Sequence, residues 1–359
     1  MLKAREAVQK LDAYLSPLAG RPGLRLDLNE NTAGCSPRVL ARLRELTTNE
    51  VGYYREREPM EAAVAAHLGL TASEVLLTNG ADEAIHLLCE TFLEPGDEAL
   101  LVVPGFTMYD ILAGATGARI VEVPAGNDFQ FPFQELAAKI SPRTRLIAIA
   151  NPNNPTGTVA ASAELLEIAR RATDAAVLID EAYFEFYGQT LLGEWRSALP
   201  NLFVARTFSK AYGMAGLRIG MLAGNDEHIS LARRVTSPFN VNAVALACLP
   251  AALADDEYVR QYVDQVRKGR ESLRNELLRW GIQSWESHAN FVLAKIGAAH
   301  EAFVEGMERR GVLVRDRSRD RGCEGCVRIS IGKLEDTARL LGALRATLAE
   351  IGITEAAAK

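Results

Sequence analysis

Seven short, mostly apolar runs punctuate the first two thirds of the chain, at Val75–Thr78, Ala99–Val103, Arg119–Val123, Leu146–Ala150, Ala176–Ile179, Leu202–Ala205 and Ile219–Leu222. A strand that is apolar on both faces must be covered on both, which is the condition of a mainly parallel sheet between layers of helices. The segments between the runs supply that cover. Asp82–Phe92 and Ser162–Ala172, for example, place apolar residues at helical spacing with charges between them. Strand and helix alternating in this way predict an α/β doubly wound domain.

The pattern changes after about Ser237. A long helical stretch runs from Ala243 to Trp280, followed by Phe291–Ile296, a helix over His300–Arg310, Val327–Ile331 and a helix over Lys333–Ile351. These units predict a smaller α+β domain. The expected division is an N-terminal arm over 1–31, a large domain over 32–240 and a small C-terminal domain over 241–359. At 359 residues the chain is long enough to bury a large core without disulfides or metals. Its 40 Lys and Arg against 46 Asp and Glu leave a net charge of −6, so no basic field is available to hold a nucleic acid. No membrane-length apolar stretch is present. Met1–Lys10 is charged throughout, unlike a secretory leader, and five scattered cysteines do not make a disulfide framework. A cytoplasmic location is expected. Neither the lone Cys323-Glu324-Gly325-Cys326 nor the five histidines has metal-ligand spacing, so no metal site is expected.

Four stretches carry chemistry. Thr207-Phe208-Ser209-Lys210-Ala211-Tyr212-Gly213 follows an apolar run and sets a lysine among small residues and hydroxyls, with Arg218 eight positions on. A lysine in a partly dry site loses basicity and can form a Schiff base with an aldehyde, while hydroxyls and an arginine suit a phosphate. Asn79-Gly80-Ala81-Asp82-Glu83 opens a helix whose first amides can face an anion. Asn151-Pro152-Asn153-Asn154-Pro155-Thr156-Gly157 is a stiff loop at a strand's carboxyl end, where open α/β sheets bind ligands. Asp180, closing the run Val177–Ile179, is a carboxylate that needs a cation, such as a protonated pyridine nitrogen. Taken singly, these are also a surface lysine, a capped turn, a plain loop and a helix cap.

Taken together and in order, Asn154, Asp180, Tyr183, Ser209, Lys210 and Arg218 resemble the pyridoxal-phosphate-dependent aminotransferases of fold type I, across about Tyr14 to Leu348. Leu28-Asn29-Glu30-Asn31, Pro104–Tyr109, Val314-Arg315-Asp316 and Cys326–Gly332 are most similar to the histidinol-phosphate aminotransferase branch. The resemblance implies a large domain with a mainly parallel seven-stranded sheet in an α/β/α sandwich, a small C-terminal domain, and pyridoxal 5′-phosphate as cofactor. It implies Lys210 as the lysine that bonds the cofactor and shuttles the proton, Asp180 as the partner of the ring nitrogen, and Asn154 and Tyr183 on the phenolic oxygen. Phe106 would stack on the ring. The Ala81 and Asp82 amides, Thr207, Ser209 and Arg218 would take the phosphate, with Tyr53, or else Tyr54, reaching across from a second subunit of a homodimer. Tyr14, Asn29, Asn154, Asn290, Arg315 and Arg328 would meet the substrate. An alternative for Arg315, Arg317, Arg319 and Arg321, interleaved with Asp316 and Asp320, is a solvated charged loop.

The activity this implies is transamination between L-histidinol phosphate and 2-oxoglutarate, giving imidazole-acetol phosphate and L-glutamate. Transamination of aromatic or other amino acids, and decarboxylation of threonine phosphate, use the same central residues. A cofactor-binding regulator without turnover is disfavoured by the net charge of −6.

Overall fold

A computed structural model describes residues 2–13, 20 and 22–355. The seven apolar runs form one sheet from β2 (Val75–Thr78), β3 (Glu98–Val103), β4 (Arg119–Pro124), β5 (Thr144–Ala150), β6 (Ala176–Asp180), β7 (Leu202–Thr207) and β8 (Gly220–Gly224). The strand order is β2-β8-β7-β6-β5-β3-β4, and β8 alone runs antiparallel to its neighbours. Successive side chains leave the sheet on opposite faces. Val177 and Ile179 of β6, with Leu77, Leu100, Ile147 and Val204, pack into one core. Ala176 and Leu178, with Leu76, Leu101, Leu146 and Phe203, pack into another on the opposite face. This two-sided burial makes the runs continuous in the sequence. The exception is the edge strand β4, whose Arg119, Glu122 and Pro124 stay in reach of water.

The smaller unit is built on β9 (Phe291–Lys295), β11 (Arg315–Asp316) and β12 (Cys326–Ser330), an antiparallel sheet in the order β11-β12-β9. The helices Asp256–Arg279, His300–Arg309 and Leu334–Glu350 cover it through Tyr262, Val266, Phe303, Leu340 and Leu344. The stretch expected as one helix from Ala243 to Trp280 is two, Ala243–Leu253 and Asp256–Arg279, separated at Ala254-Asp255. The first of them places Ala245, Leu246, Cys248, Leu249 and Ala252 in the core of the large sheet. It therefore packs with the large unit, although the expected boundary at 240 assigns it to the small one.

The N-terminal segment ties the two units together. β1 (Leu24–Arg25) pairs in parallel with β10 (Val312–Leu313). Beyond it, Ser330 N donates to Leu26 O at 2.9 Å and Asn29 N to Ser330 Oγ at 3.0 Å, both in the small unit. Asn31 Nδ2 donates to Ala211 O at 2.9 Å, beside Lys210.

Strands β2, β3, β5, β6 and β7 all point their carboxyl ends to one edge of the sheet, where Thr78, Val103, Ala150, Asp180 and Thr207 stand. Every motif loop singled out in the large unit leaves from that edge, as expected of an open α/β sheet.

Candidate active site

A cavity of about 480 Å³ opens at this edge, between the sheet, the N-terminal segment and the small unit. Asn29, Ala81, Asp82, Phe106, Asn154, Asp180, Tyr183, Thr207, Ser209, Lys210, Arg218, Arg315 and Arg328 line it, residues expected from eight separate parts of the sequence.

Lys210 lines the cavity and is partly buried. Its Nζ donates to Leu28 O at 3.0 Å, and burial, followed by the charge of Arg328, pushes the amine down to about 8. At neutral pH it can therefore lose a proton far more readily than an exposed lysine.

Asp180 stands opposite in character. Burial pushes its carboxyl up to about 6, against the pull of two hydrogen bonds. Tyr109 Oη donates to Oδ2 at 2.6 Å and Ala182 N donates to Oδ1 at 3.0 Å. Tyr109 is buried and meets the Phe106 ring edge-on, with centroids 5.6 Å apart. Tyr109 is not among the site residues expected from the sequence. The available signal was its place three residues after Phe106 at the start of the helix Thr107–Thr116, on the same face.

Tyr183 is held from behind. Asn29 Nδ2 donates to its hydroxyl at 2.9 Å, and Ser330 Oγ donates to Asn29 Oδ1 at 2.7 Å. Asn29 adopts a left-handed backbone (φ 56°), a conformation asparagine tolerates better than most residues. Burial pushes the Tyr183 hydroxyl up, with the Arg328 charge pulling it down. The Tyr183 oxygen thus accepts one bond and keeps its own proton to donate.

At the other end lies an anion cradle. The helix Ala81–Phe92 opens from Gly80, whose backbone (φ 78°, ψ 171°) suits only glycine. A Cβ at Gly80 would stand 2.5 Å from Arg218 Nη2, and one at Gly220 would stand 2.7 Å from the Gly80 carbonyl carbon. These absent side chains let Arg218 lie against the helix N-terminus. Its Nη2 pairs with Asp82 Oδ2 at 3.1 Å, and its Nη1 reaches Ser209 Oγ at 3.4 Å. The start of the helix, the Thr207 and Ser209 hydroxyls and the Arg218 guanidinium line this end of the cavity, groups whose chemistry suits an anion such as phosphate.

Arg328 joins both units. Its Nη1 donates to Asn154 Oδ1 and its Nη2 to Asp27 O, each at 2.5 Å. The loop carrying Asn154 is itself fixed, since Asn153 Nδ2 donates to Pro104 O at 3.0 Å and Ala160 N to Asn151 Oδ1 at 2.9 Å. Arg317, expected within a loop of alternating charges, also lines the cavity and is buried.

Three expected residues stand elsewhere. Asn290 is not among the lining residues: it is fully buried, and its Nδ2 donates to Asn29 O at 3.0 Å, bracing the segment that forms the wall. Tyr53 and Tyr54 are 70% and 82% exposed, outside the cavity, with Tyr54 stacked on Phe239 at 4.3 Å. Tyr14 lies outside the described residues.

Comparison with known proteins bears on the whole chain. It is 34% identical to histidinol-phosphate aminotransferase 2 of Carboxydothermus hydrogenoformans, over 90% of this chain and 91% of that protein. It is 36% identical to a histidinol-phosphate aminotransferase of Jannaschia, over 93% and 94%. The crystal structure of histidinol-phosphate aminotransferase from Sinorhizobium meliloti in complex with pyridoxal-5′-phosphate shares the fold, with a TM-score of 0.89 over 98% of this chain and 99% of that one at 24% identity. Residues 21–344 match the model of the aminotransferase class I and II family, and with the relatives this places the chain in that family.

Proposed function

We propose that this aminotransferase binds pyridoxal 5′-phosphate and exchanges an amino group between L-histidinol phosphate and 2-oxoglutarate, giving imidazole-acetol phosphate and L-glutamate. The observation that carries the reading is one cavity holding a lysine depressed to about 8, a buried aspartate and a phosphate cradle, faced by arginines of the small unit. The names of the relatives, at 34% and 36% identity over nearly the whole chain, supply the substrate.

The residues fit the cofactor. Asp180 is a buried carboxylate with no ion-pair partner among the described residues, and a protonated ring nitrogen would provide one. The cradle at Gly80, Ser209 and Arg218 would be filled by a Cβ and suits a phosphate. Bound there, pyridoxal phosphate supplies an electron sink for the pair released when a substrate Cα–H bond breaks.

The chain's own groups do the rest. Lys210, poised near neutrality, would hold the cofactor and then take and return the Cα proton. Asp180 would keep a positive charge at the sink's far end. The Tyr183 proton and the Asn154 amide would face the phenolic oxygen, and Phe106 would cover one face of the ring. Asn29, through Tyr183, sets where that proton points. Arg328, tied to Asn154, would couple occupancy of the substrate's anion to the position of the cofactor's ring oxygen.

A homodimer is part of the proposal. The stacked, exposed Tyr54 and Phe239, with the exposed Tyr53 next to Tyr54 in the chain, are apolar surface that a second copy would cover, and one tyrosine would then reach the other copy's phosphate cradle. Among the described residues no helix is long and apolar enough to cross a membrane. A cytoplasmic location accords with the free cysteines.

The test is titration of the cofactor-loaded enzyme with L-histidinol phosphate, L-histidine and L-phenylalanine, following the cofactor's visible absorption. Loss of the band at low histidinol phosphate, with both amino acids far weaker, is the expected result. Preference for an amino acid would move the activity to amino-acid transamination. A protein that takes up no cofactor would overturn the role of Lys210.

A further inference from the structure

The register of the small sheet concentrates positive charge in an unusual way. Arg315 of β11 lies directly opposite Arg328 of β12, and Arg317 N donates to Cys326 O at 2.9 Å one step further along the same pairing. Residues opposite one another on paired strands, and residues two apart on one strand, share a face. Arg315, Arg317 and Arg328 therefore leave the sheet on one side, and all three line the cavity. Like charges directly opposite on a sheet repel, so three guanidiniums on one face favour an anion brought into the cavity.

Arg317 differs from an arginine on a solvated loop. It is only 8% exposed, its Nη2 is paired with Asp320, and its Nε has no hydrogen-bond partner although it is buried. Burial pushes the Asp320 carboxyl up, against the pull of Arg317 and, more weakly, of Arg328 and Arg315, and the side chain is about three quarters buried. The pairing fixes the long side chain and leaves part of the guanidinium uncommitted.

We propose that Arg317, held by Asp320, is a third anion-binding guanidinium of the substrate site, and that it selects amines bearing a phosphate dianion over those bearing a carboxylate. This inference rests on the proposed function. Two guanidiniums satisfy a carboxylate, which offers two oxygens and one charge. A phosphate monoester offers three oxygens and nearly two charges at neutral pH, and the third guanidinium answers both.

The experiment compares half-saturation of the cofactor's spectral change by L-histidinol phosphate, L-histidinol and L-glutamate, in the unaltered enzyme and in R317Q. In R317Q the value for histidinol phosphate should rise about tenfold to a hundredfold, the worth of a charge-assisted hydrogen bond, while glutamate and histidinol change little. A second readout separates recognition from a loosened fold. The phosphate's second ionisation falls near pH 6, so in the unaltered enzyme histidinol phosphate should gain on histidinol as pH rises through that value, and R317Q should lose most of this gain. R317Q leaves Asp320 buried without its partner, so the double variant R317Q/D320N, which removes both charges, is measured beside it and should show the same selective loss. An unaltered enzyme that does not prefer histidinol phosphate to histidinol overturns the proposed function and this inference with it. A preference that survives in both variants, or losses equal for all three amines, overturns the inference alone.

Discussion

Replacing Tyr109 by phenylalanine removes one hydroxyl and leaves the ring. The hydroxyl donates to Asp180 Oδ2 at 2.6 Å, inside a site where both groups are buried. Burial already lifts Asp180 to about 6, and this hydrogen bond, together with the one from Ala182 N, restrains it from rising further. A hydrogen bond contributes about 1.5–3 kcal/mol to an ionised group and about 0.5–1.5 kcal/mol to a neutral one; the difference, about 1–2 kcal/mol, corresponds to about one pKa unit and would move Asp180 in Y109F to about 7. The sign of the linkage follows. Between the ordinary carboxyl value of 3.8 and about 6 the folded protein binds more protons at this site than the unfolded chain, so Asp180 makes stability fall as pH rises through that window. In Y109F the window extends upward. Below pH 4 the carboxyl is neutral in both proteins and the variant loses only a neutral hydrogen bond. Above pH 8 it is ionised in both, and the variant lacks the full charge-assisted bond. Urea unfolding of the cofactor-free proteins at pH 5 and pH 8.5, at matched protein concentration, reads the difference directly. Stability lost by Y109F should be about 1–2 kcal/mol greater at the higher pH. A loss of equal size at both values would mean that the Tyr109 hydroxyl does not distinguish the ionised from the neutral carboxyl, and the account of how Asp180 is kept ionised would fail.

Lys210→Ala should abolish transamination while the protein still takes up pyridoxal phosphate through the cradle at Arg218, measured by equilibrium dialysis; full activity would remove Lys210 from the chemistry. Gly80→Ala should strain the backbone by about 1–3 kcal/mol and push Arg218 aside, weakening cofactor uptake more than thermal stability. Uptake unchanged from the parent would show that Arg218 does not bear on it. Asn29→Ala leaves the Tyr183 and Ser330 hydroxyls without their shared partner and should cost about 1–3 kcal/mol in chemical unfolding. It should also lower turnover, and a variant with unaltered turnover would mean that Tyr183 does not depend on Asn29 for its orientation.

The large sheet was legible because its strands are buried twice over. Val177-Leu178-Ile179 has to be apolar at every position, and a run of that kind, ended by a carboxylate, stands out against amphipathic helices. The candidate site was legible for a related reason. Asp180 closes β6, and Asn154 and Lys210 lie on the loops just after β5 and β7, where the backbone is fixed and side chains can face a ligand. What escaped depends on register or on a neighbour far away in the chain. Ala254-Asp255 separates two helices without a glycine or proline, while Pro250 lies inside the first. The pairs β1 with β10 and β11 with β12 are two residues long, too short for any periodicity. Without the second pair, Arg317 could not be told from its neighbours Arg319 and Arg321. Asn290 carries the expected polar group, but only the position of Asn29 decides that it serves the wall of the cavity.

The N-terminal segment also sets an order of events during synthesis. Leu24 pairs with Val312 and Asn29 with Ser330, so the first wall of the cavity waits for nearly the last strand. Translation at about 5–20 residues per second puts roughly 15–60 s between the emergence of the two partners. Through that interval all seven strands of the large sheet, between Val75 and Gly224, and the helix Ala243–Leu253 that packs on it have emerged, while the lysine loop stands open. A ribosome stalled before β12 would therefore hold a chain with its large core assembled and its catalytic cavity still lacking two sides.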